Sequence, residues 1–468
     1  MLSVFDGSQP CNRRAVLSVG GLGFGGLSLA NLLAARGAAA TGRKPITTGK
    51  SVIFLLQHGG PTQFETWDPK LDVPDGIRTQ GGVVRTSIPG VHFGASMSGM
   101  APHAHRLAIV RSYTTGSASH SNRPLISEAS RQANIGSVFA RFAGANDHRT
   151  GMPNTVNLHP NAINPQDLGP DERFGKFAAT GTLGSAFAPF APGGASALQR
   201  DMELVLPRSR FDDRRSLLAA LDRLRRDVDR SGSMQGLDHI RQQAFEMVIR
   251  GVADAFDLSR ENPQTVARYD TSRYEHATQY ADKSNGNSKR GWYQANARSL
   301  GRLLLMARRL CEAGCGFVTV ATRFVWDMHG DKNNLGITRG LDAVIKPFDH
   351  AVSAFIEDCE ARGLADKILL VTAGEMGRTP KINKRGGRDH WARLAPLMLY
   401  GGGVTHGQVI GRSTRDGAEP ASDPVNSEHL VSTILQTLLD VPELRIAQGF
   451  PPELMQLATT GTPIPGLL

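Results

Sequence analysis

The chain has 468 residues, 40% of them apolar and 21% charged, with 52 glycines and 26 prolines. These proportions exclude a disordered polymer and are enough for a large buried core. The formal charge of +10 does not by itself point to nucleic acid. The densest arginine stretch, Arg208 to Arg230, interleaves its charges with Leu217, Leu218, Leu221 and Leu224 at helical spacing, which describes a solvated face over a core stripe.

In chain order, Arg13-Arg14 precedes a weakly apolar, Gly-rich stretch from Val16 to Leu33, and Ala38-Ala39-Ala40 supplies small residues for cleavage. Residues 1–40 are expected to be a twin-arginine export signal, with an uncleaved membrane anchor as the alternative. Export would put the mature chain, 41–468, in the periplasm or outside the cell. Its charge would then be +8, since the removed segment holds Arg13, Arg14, Arg36 and Asp6. No later segment is long and apolar enough to cross a bilayer, so no membrane span is expected after cleavage. Cys311, Cys315 and Cys359 remain after cleavage. An odd count argues against a disulfide framework and for buried, small apolar roles.

Val52 to Gln57 is an apolar run stopped by Gly59-Gly60-Pro61, and Leu107 to Tyr113 is similar; both read as buried strands. From about 114 to 207 the chain is rich in Gly, Pro, Ala and Asn, and an irregular insertion near the site is expected there. Apolar spacing predicts helices at about 214–229, 237–256 and 294–310, then a strand at 316–322, a helix at 347–361, strands at 368–372 and 397–400, and a helix at 427–439. Strands alternating with helices predict an α/β fold, a mostly parallel sheet covered on both faces.

Ligands in such sheets bind beyond the carboxyl ends of the strands. Asp327 and His329 lie just past strand 316–322, and an acid and an imidazole two residues apart can turn toward one cation such as zinc, manganese or iron. Alone, the pair reads first as an Asp-His hydrogen bond in a surface loop, and a second cluster of metal-ligand types is what favours the cation. Asp389-His390, in a glycine-rich stretch, can ligate or support a ligating partner, or else start a helix. Glu375 follows strand 368–372 and can bind metal or pair with Arg378, which can instead clamp a tetrahedral anion. His58, after the first strand, is a candidate ligand or a histidine satisfied by backbone. His120 sits among hydroxyls in residues 114–121, where it can activate a nucleophile or belong to an ordinary polar turn.

GGPTQFETWDPK (Gly59 to Lys70), WDMHG (Trp326 to Gly330), GEMGRTPKIN (Gly374 to Asn383) and GRDHW (Gly387 to Trp391), with the arginine pair, resemble an exported bacterial family known as a domain of unknown function, family fifteen-oh-one. That family is similar to sulfatases and alkaline phosphatases, and the resemblance covers roughly Ser51 to Pro442. It implies a three-layer α/β/α sandwich of alkaline phosphatase type and a divalent metal, zinc first with manganese or calcium as alternatives. Asp327, His329 and His390 would match one metal site, and Glu375 would hold the strand-end acid position of a second. The chain departs from the pattern where the first strand ends in His58-Gly59 rather than Asp-Gly, and where no histidine follows Glu375. Nothing in 114–121 matches the cysteine-centred sulfatase signature, so formylglycine chemistry is not expected.

The expected function is metal-dependent hydrolysis of a sulfate or phosphate ester on a small molecule or polysaccharide, with Arg378 neutralising developing charge and His120 as the base. The alternative is a non-catalytic exported binding protein on the same fold.

Overall fold

The computed structural model of the chain describes residues 5–6, 9–10, 44–193, 252–280 and 289–468. By internal packing the chain divides into two compact units, residues 1–45 with 204–245, and residues 46–203 with 246–468. In the first unit, Phe5–Asp6 pairs antiparallel with Gln9–Pro10. Apart from residues 5–6 and 9–10, the expected signal sequence lies outside the described residues, as does the expected helix at 214–229. So does most of the expected helix at 237–256, of which Ala253–Phe256 is helical.

The second unit is built on a seven-stranded sheet. Its strands are β1 (Ser51–Leu56), β2 (Leu107–Val110), β3 (Thr155–Leu158), β4 (Phe317–Ala321), β5 (Ile368–Ala373), β6 (Leu397–Gly401) and β7 (Gln408–Ile410). Across the sheet the order is β7-β2-β6-β5-β1-β4-β3. All pairs are parallel except those of β6, which runs antiparallel to both β5 and β2.

Every residue of β1, β4 and β5 is buried, and alternation divides their side chains between two cores. Ile53, Leu55, Val318, Val320 and Leu370 join one cluster, with α2 (Arg290–Glu312) and α3 (Lys346–Ala361) packed on it through Leu300, Leu304, Val352 and Phe355. Val52, Phe54, Phe317, Leu369 and Val371 join the other, covered by α1 (Ile135–Ala143) and α4 (Ser427–Leu438) through Val138, Phe139, Leu430 and Ile434. The result is a three-layer α/β/α sandwich. Strands buried on both faces are mostly apolar, with Ser51, Thr319 and Thr372 the buried polar residues in these three, which explains why they show as near-continuous runs rather than as alternation. Each such side chain contributes roughly 1.5–3 kcal/mol by leaving water.

The stretch expected as an irregular insertion carries short 3-10 turns, but it also supplies α1 and the edge strand β3. Cys311, Cys315 and Cys359 are free and buried. Among the described residues no helix is long and apolar enough to cross a membrane.

Outside the sheet, β8 (Gly377–Ile382) and β9 (Arg388–Trp391) form an antiparallel hairpin that sets Arg378 opposite His390. The loops after β1, β2, β4 and β5 leave the sheet at one edge. Leu397, which opens the antiparallel β6, lies at that edge too, opposite Ala373 and Val110. Sequence-distant segments therefore meet there.

Candidate metal centre

Side chains from three of these segments converge. His120 follows β2, Asp327 and His329 follow β4, and His390 lies on the hairpin; each offers one ligand atom, and all these atoms lie within 4.8 Å of one another. His329 Nε2 is 3.0 Å from Asp327 Oδ1 and 2.9 Å from His390 Nε2. His390 Nε2 is 3.4 Å from Asp327 Oδ1, and His120 Nε2 is 3.7 Å from Asp327 Oδ2.

These spacings supply a test of fit. Donors held tetrahedrally around one ion by bonds of about 2.1 Å stand about 3.4 Å apart. Four of the donor pairs, at 2.9–3.7 Å, lie around that figure, and all four donors lie within 4.8 Å of one another. Two neutral imidazole acceptors facing each other at 2.9 Å repel unless a proton or a cation lies between them. Three imidazole nitrogens and a carboxylate also form a donor set suited to zinc and its neighbours.

Two of the imidazoles are oriented from behind by carboxylates. His120 Nδ1 is 3.1 Å from Glu375 Oε1, and His329 Nδ1 is 3.1 Å from Asp389 Oδ1. A carboxylate on the far ring nitrogen fixes the tautomer and leaves the Nε2 lone pair for a metal. Glu375 is itself fully buried and accepts the Gly59 N–H at 2.9 and 3.1 Å. Gly59 is required there: its φ is +116°, and a Cβ would lie 2.5 Å from the Asp327 nitrogen. Asp389 is half-exposed and accepts from Asn383 Nδ2 at 3.0 Å, while the same amide donates to the His329 carbonyl.

The charge balance follows from burial and neighbours. Burial pushes His120 down to about 3, against the opposing pull of Asp327, so its ring is neutral at neutral pH. Burial also works against ionisation of Asp327, but hydrogen bonds from His329 and His390, together with the charge of Arg378, outweigh it and hold the carboxyl well below its usual range. The hydrogen bond to Asp327 raises His329, with burial opposing. Burial raises Glu375.

The two remaining expected site residues, His58 and Arg378, are not among the converging donors. His58 is buried, with its ring edge-on to Phe174, Phe177 and Phe324 and its Nε2 without a hydrogen-bond partner; burial lowers its pKa. It is not among the four converging donors. Arg378 was expected to clamp an anion, yet it is 1% exposed and each of its three nitrogens already donates within the protein. Nε donates to Gly60 O at 2.8 Å, Nη1 to Arg388 O at 3.1 Å, and Nη2 to Gly59 O, to Trp326 O and to Asp327 Oδ1 at 2.8 Å. It ties the loop after β1 to the hairpin and to Asp327.

Two features carried no sequence signal that sorted them from their neighbours. Lys289, at the start of α2, lies 3.7 Å from Asp327 Oδ2, hydrogen-bonds Asn334 Oδ1, and sits over the rings of Phe324 and Trp292; burial lowers its pKa. Arg388 is buried against Glu65, with Nη2 2.8 Å from Oε1, and so joins the first family motif to the last.

Residues 49–466 match the model of a family described as "Protein of unknown function (DUF1501)". The chain belongs to that family. No curated protein matches it. Among solved structures it is similar to the PsFucS1 sulfatase from Pseudoalteromonas sp., at 11% identity and a TM-score of 0.33, over 97% of this chain and 78% of that one. It is also similar to Ps i-CgsB in complex with k-i-k-neocarrahexaose, at 10% identity and a TM-score of 0.32, over 83% and 71%. A third likeness is to the alkaline phosphatase from the Antarctic bacterium TAB5, at 10% identity and a TM-score of 0.26, over 83% and 97%.

Proposed function

We propose that this family member is an exported, metal-dependent hydrolase of sulfate or phosphate esters. The observation that carries the reading is the convergence of His120, Asp327, His329 and His390 at the sheet edge. The structural likenesses, at these scores, add no weight to it.

A divalent cation bound there would act as a Lewis acid on an ester oxygen and make a water or hydroxyl nucleophilic at neutral pH. The chain's own residues prepare the place. Asp327 contributes the anionic charge, kept ionised by its neighbours. Glu375 and Asp389 turn His120 and His329 so that Nε2 faces inward. Lys289 adds positive charge beside Asp327, favouring an anionic substrate over a neutral one. The phenyl rings of Phe174 and Phe324, stacked 4.3 Å apart, wall off the His120 side and limit water there. Small-molecule or polysaccharide esters are the substrate class, and the periplasm or exterior is the site of action.

A second reading is favoured by a specific observation. Arg378 is buried, with all three of its nitrogens engaged by backbone carbonyls or Asp327, and no serine or threonine hydroxyl among the described residues hydrogen-bonds the four donors. A non-catalytic, metal-holding binding protein on this fold has these properties. Hydrolysis of 4-nitrophenyl phosphate and 4-nitrophenyl sulfate by the zinc- and manganese-loaded protein separates the two. Turnover abolished by Asp327→Ala supports the hydrolase; stoichiometric metal without turnover supports the binding protein.

A further inference from the structure

A cavity of about 380 Å³ lies beside the segment that follows His329, walled by residues 330–336 and by the hairpin tip at Arg385 and Gly386. Three links make it one unit with the centre. Gly330 follows His329 directly, and its N–H donates to Leu335 O at 3.1 Å. Asn334, in the wall, is hydrogen-bonded by Lys289, which stands 3.7 Å from Asp327. Asn383, at the hairpin turn, holds both the His329 carbonyl and the Asp389 carboxylate at 3.0 Å. The two walls touch backbone to backbone. Gly330 has φ +71°, and a Cβ there would lie 2.5 Å from the Arg385 carbonyl oxygen. Any larger residue would push them apart.

The cavity is electropositive. Lys332, Arg339 and Arg385 line it, and all are exposed. The side chains of Lys332 and Arg385 make no hydrogen bond or ion pair among the described residues. The acid in the wall, Asp331, is already engaged by the N–H groups of Asn333 and Asn334, both at 2.8 Å, and by the Asn334 amide at 3.0 Å. An anion entering the cavity would meet the side chains of Lys332 and Arg385, and charge-assisted bonds to an oxyanion are stronger than neutral ones. The volume falls within the range of roughly 300–1,000 Å³ typical of small-molecule sites.

We infer that this cavity is the subsite for a second tetrahedral oxyanion on the substrate, one set apart from the ester that is cleaved. The substrate class narrows to sugars or similar scaffolds carrying at least two sulfate or phosphate groups. This deepens the hydrolase reading and rests on it. Remote binding of this kind orients the reacting ester at the metal.

Titration of the zinc-loaded full-length protein with matched pairs tests the inference by calorimetry, which reads binding whether or not turnover occurs. The pairs are glucose 1,6-bisphosphate against glucose 1-phosphate, and galactose 4,6-disulfate against galactose 6-sulfate. The member bearing two oxyanion groups, in at least one pair, should bind about tenfold tighter, the scale of one charge-assisted contact, and the pair that shows it names the oxyanion. Lys332→Ala/Arg385→Ala, two exposed changes that leave the core intact, should abolish that preference and leave 4-nitrophenyl ester hydrolysis unchanged. Equal affinity within both pairs, or a preference that survives in the double variant, overturns the inference. A protein that shows the preference but no turnover removes the hydrolase reading and leaves the subsite standing.

Discussion

Glu375 and His120 follow different strands, β5 and β2, yet the Glu375 carboxylate oxygen stands 3.1 Å from the His120 Nδ1. The contact makes Glu375 a positioning residue for the imidazole, while its other bonds go to the Gly59 backbone. Glu375→Gln, which keeps the volume, should therefore weaken metal affinity about 10–100-fold, the usual cost of losing a partner behind a ligand. Asp389→Asn should act in the same direction through His329, with the smaller effect because Asp389 is half-exposed. Competition with a chelator of known affinity measures both, and an unchanged affinity in Glu375→Gln would assign that residue a purely structural role.

Arg378 is predicted to act as a staple. Arg378→Ala strips partners from the buried carbonyls of Gly59, Gly60 and Arg388, each worth about 1–3 kcal/mol when orphaned. Thermal midpoint and metal affinity should fall together. A variant of native thermal stability that shows only a raised KM for the ester would instead make Arg378 a substrate-binding group.

The Glu65–Arg388 pair is buried on both sides, and Arg388 also lies over the Phe64 ring at 4.1 Å. Removing one partner leaves an uncompensated buried charge, at a cost of about 3–5 kcal/mol. Urea titration of Glu65→Ala should show that loss, with metal affinity falling as well because Arg388 precedes Asp389 and His390. A loss under 1 kcal/mol would contradict the assignment.

Asp349, on α3, accepts the N–H groups of Gly99 and Met100 at 2.7 and 2.8 Å. Burial nonetheless raises its carboxyl to about 7, above the ~3.9 of an unfolded aspartate. With the folded value the higher one, its contribution to stability is full below about pH 4 and is lost as pH rises through 7, by at most about 1.4 kcal/mol per pH unit. Asp349→Asn should remove that descent. Chemical denaturation between pH 4 and pH 8 should show the wild type losing stability relative to the variant; parallel profiles would exclude the effect.

The sheet was legible because strands buried on both faces leave near-continuous apolar runs. Val52 to Gln57 differs from the observed Ser51–Leu56 by one residue at each end, and 368–372 extends only to Ala373. The edge strand β3 was harder to read, since Thr155 to Leu158 is short and lies among turn formers. In the centre, Asp327, His329 and His390 could be picked out by type and motif. His120 could be noticed, but not its facing, because the direction of a side chain past a strand end depends on the tertiary path of the loop. For the same reason sequence could not tell that Glu375 and Asp389 stand behind histidines, that His58 turns into phenylalanines, or that Lys289 reaches Asp327 from 38 positions away in the chain.

The central claim is that four side chains distant in sequence share one ion. Elemental analysis by inductively coupled plasma mass spectrometry, on the purified wild type and on Asp327→Ala and His390→Ala, tests it most directly. One zinc-like divalent cation per chain in the wild type, with well under half that amount in either variant at unchanged folding, is the predicted result. A wild type that takes up no stoichiometric metal from zinc- or manganese-supplemented buffer, or variants that retain it in full, would contradict the account.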